Sequence, residues 1–218
     1  TWSMSYDHRL EPQQVPADVK TCGGMRQWLL AAGGADTSAT DIRLHLVGTG
    51  DSTVTISGVH AQILSRLPTS PTTLVDCPSA GEVATPAVAL DLGQDEPEAM
   101  EVKAPPSGTL PAGSLSGRLG ASFFATHTII LTKGEPFDIS ITGFTAGTQS
   151  VRWRVMVDYE INGQQHSIPA TGPTFMTAPL LCGKAYGQYF EWAWYTRPEH
   201  LVQTTQNSPS CAANTLPY

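Results

Sequence analysis

The sequence predicts an all-β protein, an immunoglobulin- or fibronectin-like β-sandwich with a short N-terminal helix and a disulfide-bracketed C-terminal insert. Three observations lead to this class: several segments alternate apolar with polar residues, 20 glycines and 17 prolines suit frequent turns, and only 14% of residues are charged. Helical bundles and coiled coils are much richer in charged residues. The remaining elements are therefore argued from the sheet outward.

The central sheet is predicted from the middle of the chain. Residues 137–141 alternate apolar and polar side chains, and residues 151–161 do the same over a longer stretch. Such a period of two is what a half-buried strand requires. Asn162-Gly163 then predicts a type I′ turn, because both central positions of that turn need positive φ. Residues 164–168 are predicted to form the return strand.

Other strands are predicted from the same alternation. Residues 42–47 place their leucines on one face, and residues 54–64 continue after a turn as a long strand. The apolar residues change phase at Gly58, which indicates a β-bulge. Further strands are expected over residues 83–92 and at Phe175.

The domain organisation is predicted to be simple. Residues 1–20 show no periodicity and are interpreted as an extended N-terminal tether. Residues 21–218 then form a single β-sandwich domain, with core strands at about 42–180 and an aromatic insert at 182–211.

Two segments outside the strands have their own signals. Residues 25–32 predict a short helix that ends at Gly33-Gly34. Residues 105–122 are rich in Pro, Gly and Ser, and we interpret them as a loop long enough to be functional.

The cysteines are Cys22, Cys77, Cys182 and Cys211. Four cysteines allow three pairings, and the shortest loops favour Cys22–Cys77 with Cys182–Cys211. Two disulfides predict a location outside the cytoplasm. The alternative is four unpaired buried thiols in a cytosolic protein.

Charge and hydropathy restrict the partners. The net charge of −7 provides no basic face, so neither nucleic acid nor an anionic membrane surface is expected as a partner. No apolar run reaches the length of about 18 residues that a membrane helix needs, so direct insertion is not expected. Because the chain begins at Thr1 rather than Met, we expect a mature form whose signal or N-terminal membrane anchor has been removed.

Motifs for catalysis and metal binding are missing from the sequence. The six histidines lack metal-site spacing, although His45 and His60 are expected to be cross-strand neighbours. The acidic run 91–101 lacks the EF-hand pattern and is interpreted as a solvated turn. There is no nucleophile elbow, HExxH motif, P-loop or dinucleotide fingerprint. We predict no enzyme, metal or cofactor, and a hydrolase with a dispersed carboxylate pair is the third alternative.

The densest aromatic stretch, residues 186–195, supplies the predicted contact residues. Alternation within it favours one core-facing set and one exposed set. The core-facing set is Phe190, Trp192 and Trp194. The predicted contact residues are Tyr186, Tyr189 and Tyr195.

The strand segments also carry a family resemblance. They are IRLHLVG at 42–48, VTISGVHAQI at 54–63, VALDLG at 88–93, IILTKGEPFDISI at 129–141 and VRWRVMVDYEINGQ at 151–164. This pattern covers a little over half of the chain, and it resembles exported β-rich ectodomains of single-pass membrane-anchored proteins from high-GC Gram-positive bacteria. The resemblance implies an N-terminal membrane helix before an exported β-domain, and it implies no catalytic residues. The insert at 182–211 lies outside the pattern.

The function predicted from these features is a non-enzymatic extracellular binding or assembly module that contacts a protein partner at the cell surface. The contact surface would be the aromatic insert or the loop at 105–122, since loops on a rigid sandwich are common recognition sites. The alternative is a carbohydrate-binding module for cell-wall or extracellular glycan, which predicts exposed aromatic rings.

Overall fold

The computed structural model describes residues 2–77, 88–103, 115–181, 186–193 and 200–204. Within these residues the protein is mostly β, as the sequence predicts. The strands are β1 (Trp2–Tyr6), β2 (Ala35–Thr37), β3 (Ala39–Val47), β4 (Val54–Pro68), β5 (Thr73–Cys77), β6 (Val88–Asp91), β7 (Met100–Val102), β8 (Leu119–Ser122), β9 (Ile129–Leu131), β10 (Pro136–Phe144), β11 (Gln149–Ile161), β12 (Gln164–Pro169), β13 (Phe175–Ala178), β14 (Gln188–Ala193) and β15 (His200–Gln203). The helices are α1 (Cys22–Ala31), α2 (Phe123–Thr126) and 3₁₀ turns at Pro12–Gln14 and Leu115–Arg118.

The strands form two sheets. Sheet A has ten strands in the order β15-β14-β5-β1-β2-β13-β11-β4-β9, with β12 paired to β11. Sheet B has five strands in the order β3-β10-β6-β7-β8. Both sheets are mixed, because β2 pairs with β13, β5 with β14 and β6 with β10 in parallel. Immunoglobulin sheets are antiparallel, so the predicted immunoglobulin-like topology is not confirmed.

The pairing of β4 with β11 confirms the predicted turn and bulge. Asn162 (φ 53°) and Gly163 (φ 76°) form the two-residue turn between β11 and β12. Asp158 pairs with Gly58, whereas the next residue of β11 pairs with Ile56, so Ser57 is the extra residue of a bulge. A second bulge lies between Arg152 and Trp153 of β11. The phase change read from the sequence is therefore a real register shift.

The main hydrophobic core lies between sheet B and one half of sheet A. Trp153 is fully buried there, and its indole N–H donates to the Thr177 hydroxyl over 2.9 Å. The other core residues come from inward-facing positions of both sheets, and they include Ile56, Val59, Leu44, Ile139, Ile141, Val88 and Leu90. The alternation predicted at 42–47 is confirmed, since Leu44 is buried while Arg43 and His45 are exposed.

A second core lies between α1 and the other half of sheet A. Met25 and Leu29 of α1 are fully buried in it. They pack against sheet residues Met4, Val75, Cys77, Phe190 and Trp192. Cross-strand partners share a face, and the register runs from Val75 through Met4, Asp36 and Thr177 to Val151. Helix α1 and sheet B therefore cover the same face of sheet A, side by side.

Helix α1 is fixed at both ends and in its middle. The Thr21 side chain accepts a hydrogen bond from Gly24 N over 3.1 Å, as an N-cap does. Gly34 N donates to Leu29 O after a left-handed Gly33, which ends the helix where the sequence predicts. Arg26 donates two hydrogen bonds, of 2.8 and 2.7 Å, to the buried Asp36 carboxylate in β2. Burial raises the pKa of Asp36, although Arg26 opposes this shift.

Several predictions about the ends of the chain are wrong. Residues 1–20 are not a tether, because β1 pairs with β2 on one side and β5 on the other, and Leu10 is fully buried. The described part of 182–211 is not an appended insert either. Strand β14 pairs with β5 and β15, so it belongs to sheet A. The core strands thus extend well beyond the predicted range of 42–180.

The cysteine and loop predictions are confirmed only in part. The Cys22–Cys77 disulfide is present and ties the first residue of α1 to the end of β5. The predicted Cys182–Cys211 pairing lies outside the described residues. So do residues 83–87 of the predicted strand 83–92, whose described part contains β6. Within the predicted loop at 105–122, residues 115–122 instead form a 3₁₀ turn and β8.

We predict that the Cys22→Ala/Cys77→Ala variant loses about 4 kcal/mol of unfolding free energy, because the bond closes a loop of 55 residues. Urea denaturation followed by circular dichroism measures this loss. The matched control is Thr21→Ala, which removes only the N-cap of α1 and is expected to cost about 1 kcal/mol. A double-variant loss no larger than that of the control would contradict the stabilising role of this disulfide.

Candidate functional site

An open groove of about 710 Å³ runs along β4 on the outer face of sheet A. It lies on the outer face because His60 alternates with the core residues Val59 and Ala61, just as Asp158 follows the core residue Val157. The lining residues are Ser57–Ile63, Asp95, Glu96, Glu98, Ala99, Ser122, Phe124, Met156, Asp158 and Ser167. Regular strands thus form the floor of the groove, and connecting segments form its wall.

A histidine–aspartate pair occupies the floor of the groove. His60 Nδ1 lies 2.8 Å from Asp158 Oδ2, and the two side chains are 33% and 32% exposed. The contact is diagonal, because Asp158 pairs with Gly58 while His60 pairs with Met156. When Nδ1 carries the proton and donates a hydrogen bond to Asp158, the lone pair on His60 Nε2 remains available to a ligand. Among the described residues, neither Nε2 nor Asp158 Oδ1 has a hydrogen-bond partner.

The bulge at Gly58 makes this pair possible. The Asp158 side chain reaches over the backbone of Gly58, where a Cβ would lie 2.6 Å from Asp158 Oδ2. That separation is well inside van der Waals contact, so any larger residue at position 58 would displace the carboxylate. The glycine that the sequence marks as a bulge therefore also positions the Asp158 side chain.

The acidic run forms one wall of the groove. Ala61 N donates to Pro97 O over 2.9 Å, and Ala99 N donates to Val59 O over 3.0 Å. These bonds hold residues 97–99 antiparallel to β4 and place Glu98 opposite His60. The interpretation of this run as a solvated turn is incomplete, since the run also completes the edge of sheet A.

The electrostatics of the groove are one-sided. Four carboxylates line it, from Asp95, Glu96, Glu98 and Asp158, and none of the described lining residues is Lys or Arg. A lining with charges of one sign raises the local concentration of counter-ions and of oppositely charged ligands. The groove is therefore suited to a ligand that carries positive charge.

Two arginines, Arg66 and Arg154, donate hydrogen bonds to groups around the groove. Arg66 donates to Leu92 O over 2.6 Å and to Gln94 O over 2.5 Å, which fixes the turn that leads into the acidic wall. Arg154 Nε donates to Gln62 Oε1 over 2.7 Å at one end of the groove. Among the described residues, neither guanidinium group forms an ion pair with one of the four groove carboxylates.

The tyrosines predicted from the sequence do not form this site. Tyr186 is not supported as a contact residue, because its side chain is buried and its hydroxyl accepts from Leu181 N. Tyr189 is half-buried and donates a 3.4 Å hydrogen bond to Asp76 Oδ2. Burial, reinforced by the Asp76 charge, raises the pKa of Tyr189 to about 12. Tyr195 lies outside the described residues.

The core-facing aromatic set is confirmed where it is described. Phe190 and Trp192 are buried in the second core, and Trp194 lies outside the described residues. Since the rings of Phe190 and Trp192 face inward, neither contributes to an exposed aromatic platform.

The histidines are dispersed. His45 lies on β3 in sheet B, whereas His60 lies on β4 in sheet A, so the predicted cross-strand neighbours are not neighbours. His45 Nδ1 lies 2.9 Å from Asp138 Oδ1, and Arg43 donates to the other oxygen of Asp138. These two hydrogen bonds lower the pKa of Asp138. Among the described residues, no group of three or more His, Cys, Asp or Glu side chains is arranged to hold a metal ion.

Two features of the sequence point to the groove, although neither predicts it alone. The bulge at Gly58 lies two residues before His60, and the strand that pairs with β4 carries acidic residues on its polar face. Which acidic residue meets His60 depends on the register of β4 against β11, which the sequence pattern does not give.

We predict that Gly58→Ala breaks the His60–Asp158 contact and lowers the unfolding free energy by about 1–3 kcal/mol, because the added methyl group occupies the path of the carboxylate. Urea denaturation measures the stability, and the imidazole NMR signals of His60 report the contact. Gly50→Ala is the matched control, since the nearest atom to a Cβ there is 3.9 Å away. An unchanged His60 signal in Gly58→Ala would contradict the role given to Gly58.

Comparisons with known proteins found no match that would indicate a function. No protein-family model matches the chain, and neither a curated protein nor a solved structure matches it. Among the described residues, no helix has the length and apolar character needed to cross a bilayer. The resemblance to exported ectodomains therefore stays a prediction. The groove is the structural feature that indicates a function.

Proposed function

We propose that this protein is a non-enzymatic binding module that contacts a protein partner at the cell surface, and that its groove binds a segment of the partner rich in Lys or Arg. The observation that carries the proposal is the open groove itself, with four carboxylates and no described Lys or Arg in its lining. Complementary charge speeds association and rejects partners of the wrong sign.

The shape of the groove suits an extended segment. Its floor includes residues 57–63 of β4, which span about 20 Å at about 3.3 Å per residue. A peptide of about six residues in extended conformation matches that length. Immunoglobulin-like domains recognise partners through loops at one end of the sandwich, whereas the floor of this groove is made of strands. A rigid floor reduces the conformational entropy lost on binding.

A disulfide bond supports a location outside the cytoplasm. The Cys22–Cys77 disulfide is typical of an oxidising compartment, as in secreted and cell-surface proteins. The resemblance to exported ectodomains points to the same compartment and to an N-terminal anchor. Both features support the cell surface as the place where the module acts.

The non-enzymatic part of the proposal rests on the surroundings of His60. An imidazole oriented by a carboxylate is two thirds of a serine-hydrolase triad. The groove also contains Ser57, Ser122 and Ser167. Among the described residues, however, no hydroxyl is hydrogen-bonded to His60 Nε2. The four carboxylates of the lining would also disfavour the negative charge that develops on an oxyanion.

The second candidate ligand is a glycan. Phe124 lines the groove beside several carboxylates and the Gln62 amide. An aromatic ring and planar polar groups are the side chains that sugar rings and hydroxyls contact. A glycan ligand would bind with little dependence on salt, whereas a cationic segment would bind more weakly as salt screens the carboxylates.

We predict that the triple variant Asp95→Asn/Glu96→Gln/Glu98→Gln weakens binding of a fluorescent hexalysine peptide by about tenfold or more. Each exposed charge pair contributes up to about 1 kcal/mol, and three such pairs are removed together. Fluorescence anisotropy at low and at physiological salt measures the affinity and its salt dependence.

The matched control removes the same number of charges away from the groove. Asp7→Asn/Glu11→Gln/Asp18→Asn changes three exposed acidic residues of the N-terminal segment and leaves the net charge equal to that of the test variant. If both triple variants lose affinity equally, the whole protein rather than the groove attracts the peptide, and the proposal is wrong. Binding of cell-wall polysaccharide, with no hexalysine binding, would favour the glycan instead.

A further inference from the structure

His60 has charged neighbours on two sides. Asp158 of β11 lies 2.8 Å from its Nδ1, and Glu98 is its bridge partner on the wall. Both acidic residues project from the same face of sheet A as His60, because cross-strand partners share a face. The three side chains therefore occupy one section of the groove floor and wall.

We propose that Asp158 and Glu98 form the subsite for one Lys or Arg side chain of the ligand, and that His60 is a competing internal cation that expels this side chain when it becomes protonated. The inference rests on the proposed function, and it adds the residues of the subsite and the condition for release. Binding would then be strong at neutral pH and weak in an acidic compartment.

The competition follows from the charges in the two protonation states. Neutral His60 donates one hydrogen bond to Asp158 Oδ2 and leaves the full negative charge of that carboxylate for the ligand. Protonated His60 forms an ion pair with the same carboxylate and adds a positive charge beside any bound ammonium or guanidinium group. Since the side chains are only partly exposed, solvent screens this repulsion less than at an open surface.

The groove lining brings several other ionisable groups near His60. The acidic residues facing it are Asp158 from β11, Glu98 from the wall, and Asp95 and Glu96 further along that wall. Carboxylates of exposed Asp and Glu are ionised above about pH 5, and Lys and Arg stay charged below about pH 9. Ser167 of β12, Ser122 of β8 and Phe124 of α2 also line the groove, and they carry no charge. Arg154 lies two residues before Met156 on the same face of β11.

Imidazole is the side chain whose ordinary pKa lies between pH 5 and 8, and His60 is the one histidine among the described lining residues of the groove. The sign is fixed by this chemistry: acidification adds positive charge, so affinity for a cation falls. By linkage, a bound cation also disfavours protonation of His60 by the same factor.

The structure supplies a matched pair for comparison. His45 and Asp138 form a second histidine–aspartate contact, with 2.9 Å between Nδ1 and Oδ1, but on the outer face of sheet B. This pair has the same chemistry and lies outside the groove lining. Replacing His45 therefore removes an imidazole that has a carboxylate partner, without changing the proposed subsite.

The experiment measures fluorescent hexalysine binding by anisotropy at pH 7.5 and pH 5.5, with constant ionic strength, for the unmodified protein and three variants. The unmodified protein and His45→Gln are expected to bind about fivefold or more weakly at pH 5.5. His60→Gln is expected to bind with the same affinity at both pH values, because its amide does not titrate. Asp158→Asn is expected to bind more weakly than the unmodified protein at pH 7.5. Thermal unfolding confirms that each variant is folded at both pH values.

Three outcomes would overturn the inference. Binding of the unmodified protein that does not change with pH would remove His60 as a competing cation. A pH dependence that persists in His60→Gln, or disappears in His45→Gln, would assign the effect to another group. Failure of the unmodified protein to bind hexalysine at either pH would overturn the inference and the proposed function together. The first two outcomes leave the proposed function intact.

Discussion

The antiparallel pairing of β4 with β11 is the constraint on which both the core and the groove depend. Along β11, one face supplies Trp153, Val155 and Val157 to the core, while the other supplies Asp158 to the groove. A strand has only these two faces, so a shift of one residue would exchange core and groove side chains. The bulges fix this register, and one of them places Gly58 where Asp158 needs room. Stability and the geometry of the groove therefore depend on the same pairing.

The rest of the molecule holds that pairing in place from the inner side. Sheet B and helix α1 cover one face of sheet A, and this leaves part of the opposite face to form the groove floor. The disulfide and the Arg26–Asp36 ion pair fix α1 over the strands at the other end of sheet A. Removal of Arg26 would leave the buried Asp36 carboxylate without its ion-pair partner, and an unpaired buried charge is strongly destabilising. Among the described residues, the groove carboxylates of Asp95, Glu96 and Glu98 have no hydrogen-bond or ion-pair partner, so they are available to a ligand.

Local patterns predicted the elements well, and they predicted partners poorly. Asn162-Gly163, Gly58 and the end of α1 at Gly33 were correct because turns, bulges and helix caps depend on the φ angles and space of a few neighbouring residues. The N-terminal strand was missed although Trp2, Met4 and Tyr6 alternate with serines, because five residues are a short pattern and the strand's partners, β2 and β5, lie far along the chain. Tyr186 was included as a contact residue for its aromatic character alone, although its position has the same parity as the core-facing Phe190 and Trp192, and it is buried like them.

By itself, the sequence determined the β class, the short helix and the hairpin after β11, and it favoured the Cys22–Cys77 bond among the possible cysteine pairings. Each depends on local backbone geometry or on the short-loop preference for pairing cysteines. Only the tertiary structure decided the mixed strand order and the place of β14 inside sheet A. It also decided that His60 contacts Asp158 and is not a neighbour of His45. These depend on which strands pair and in which register. That choice is made by long-range packing of both faces, and no segment of the chain carries it alone.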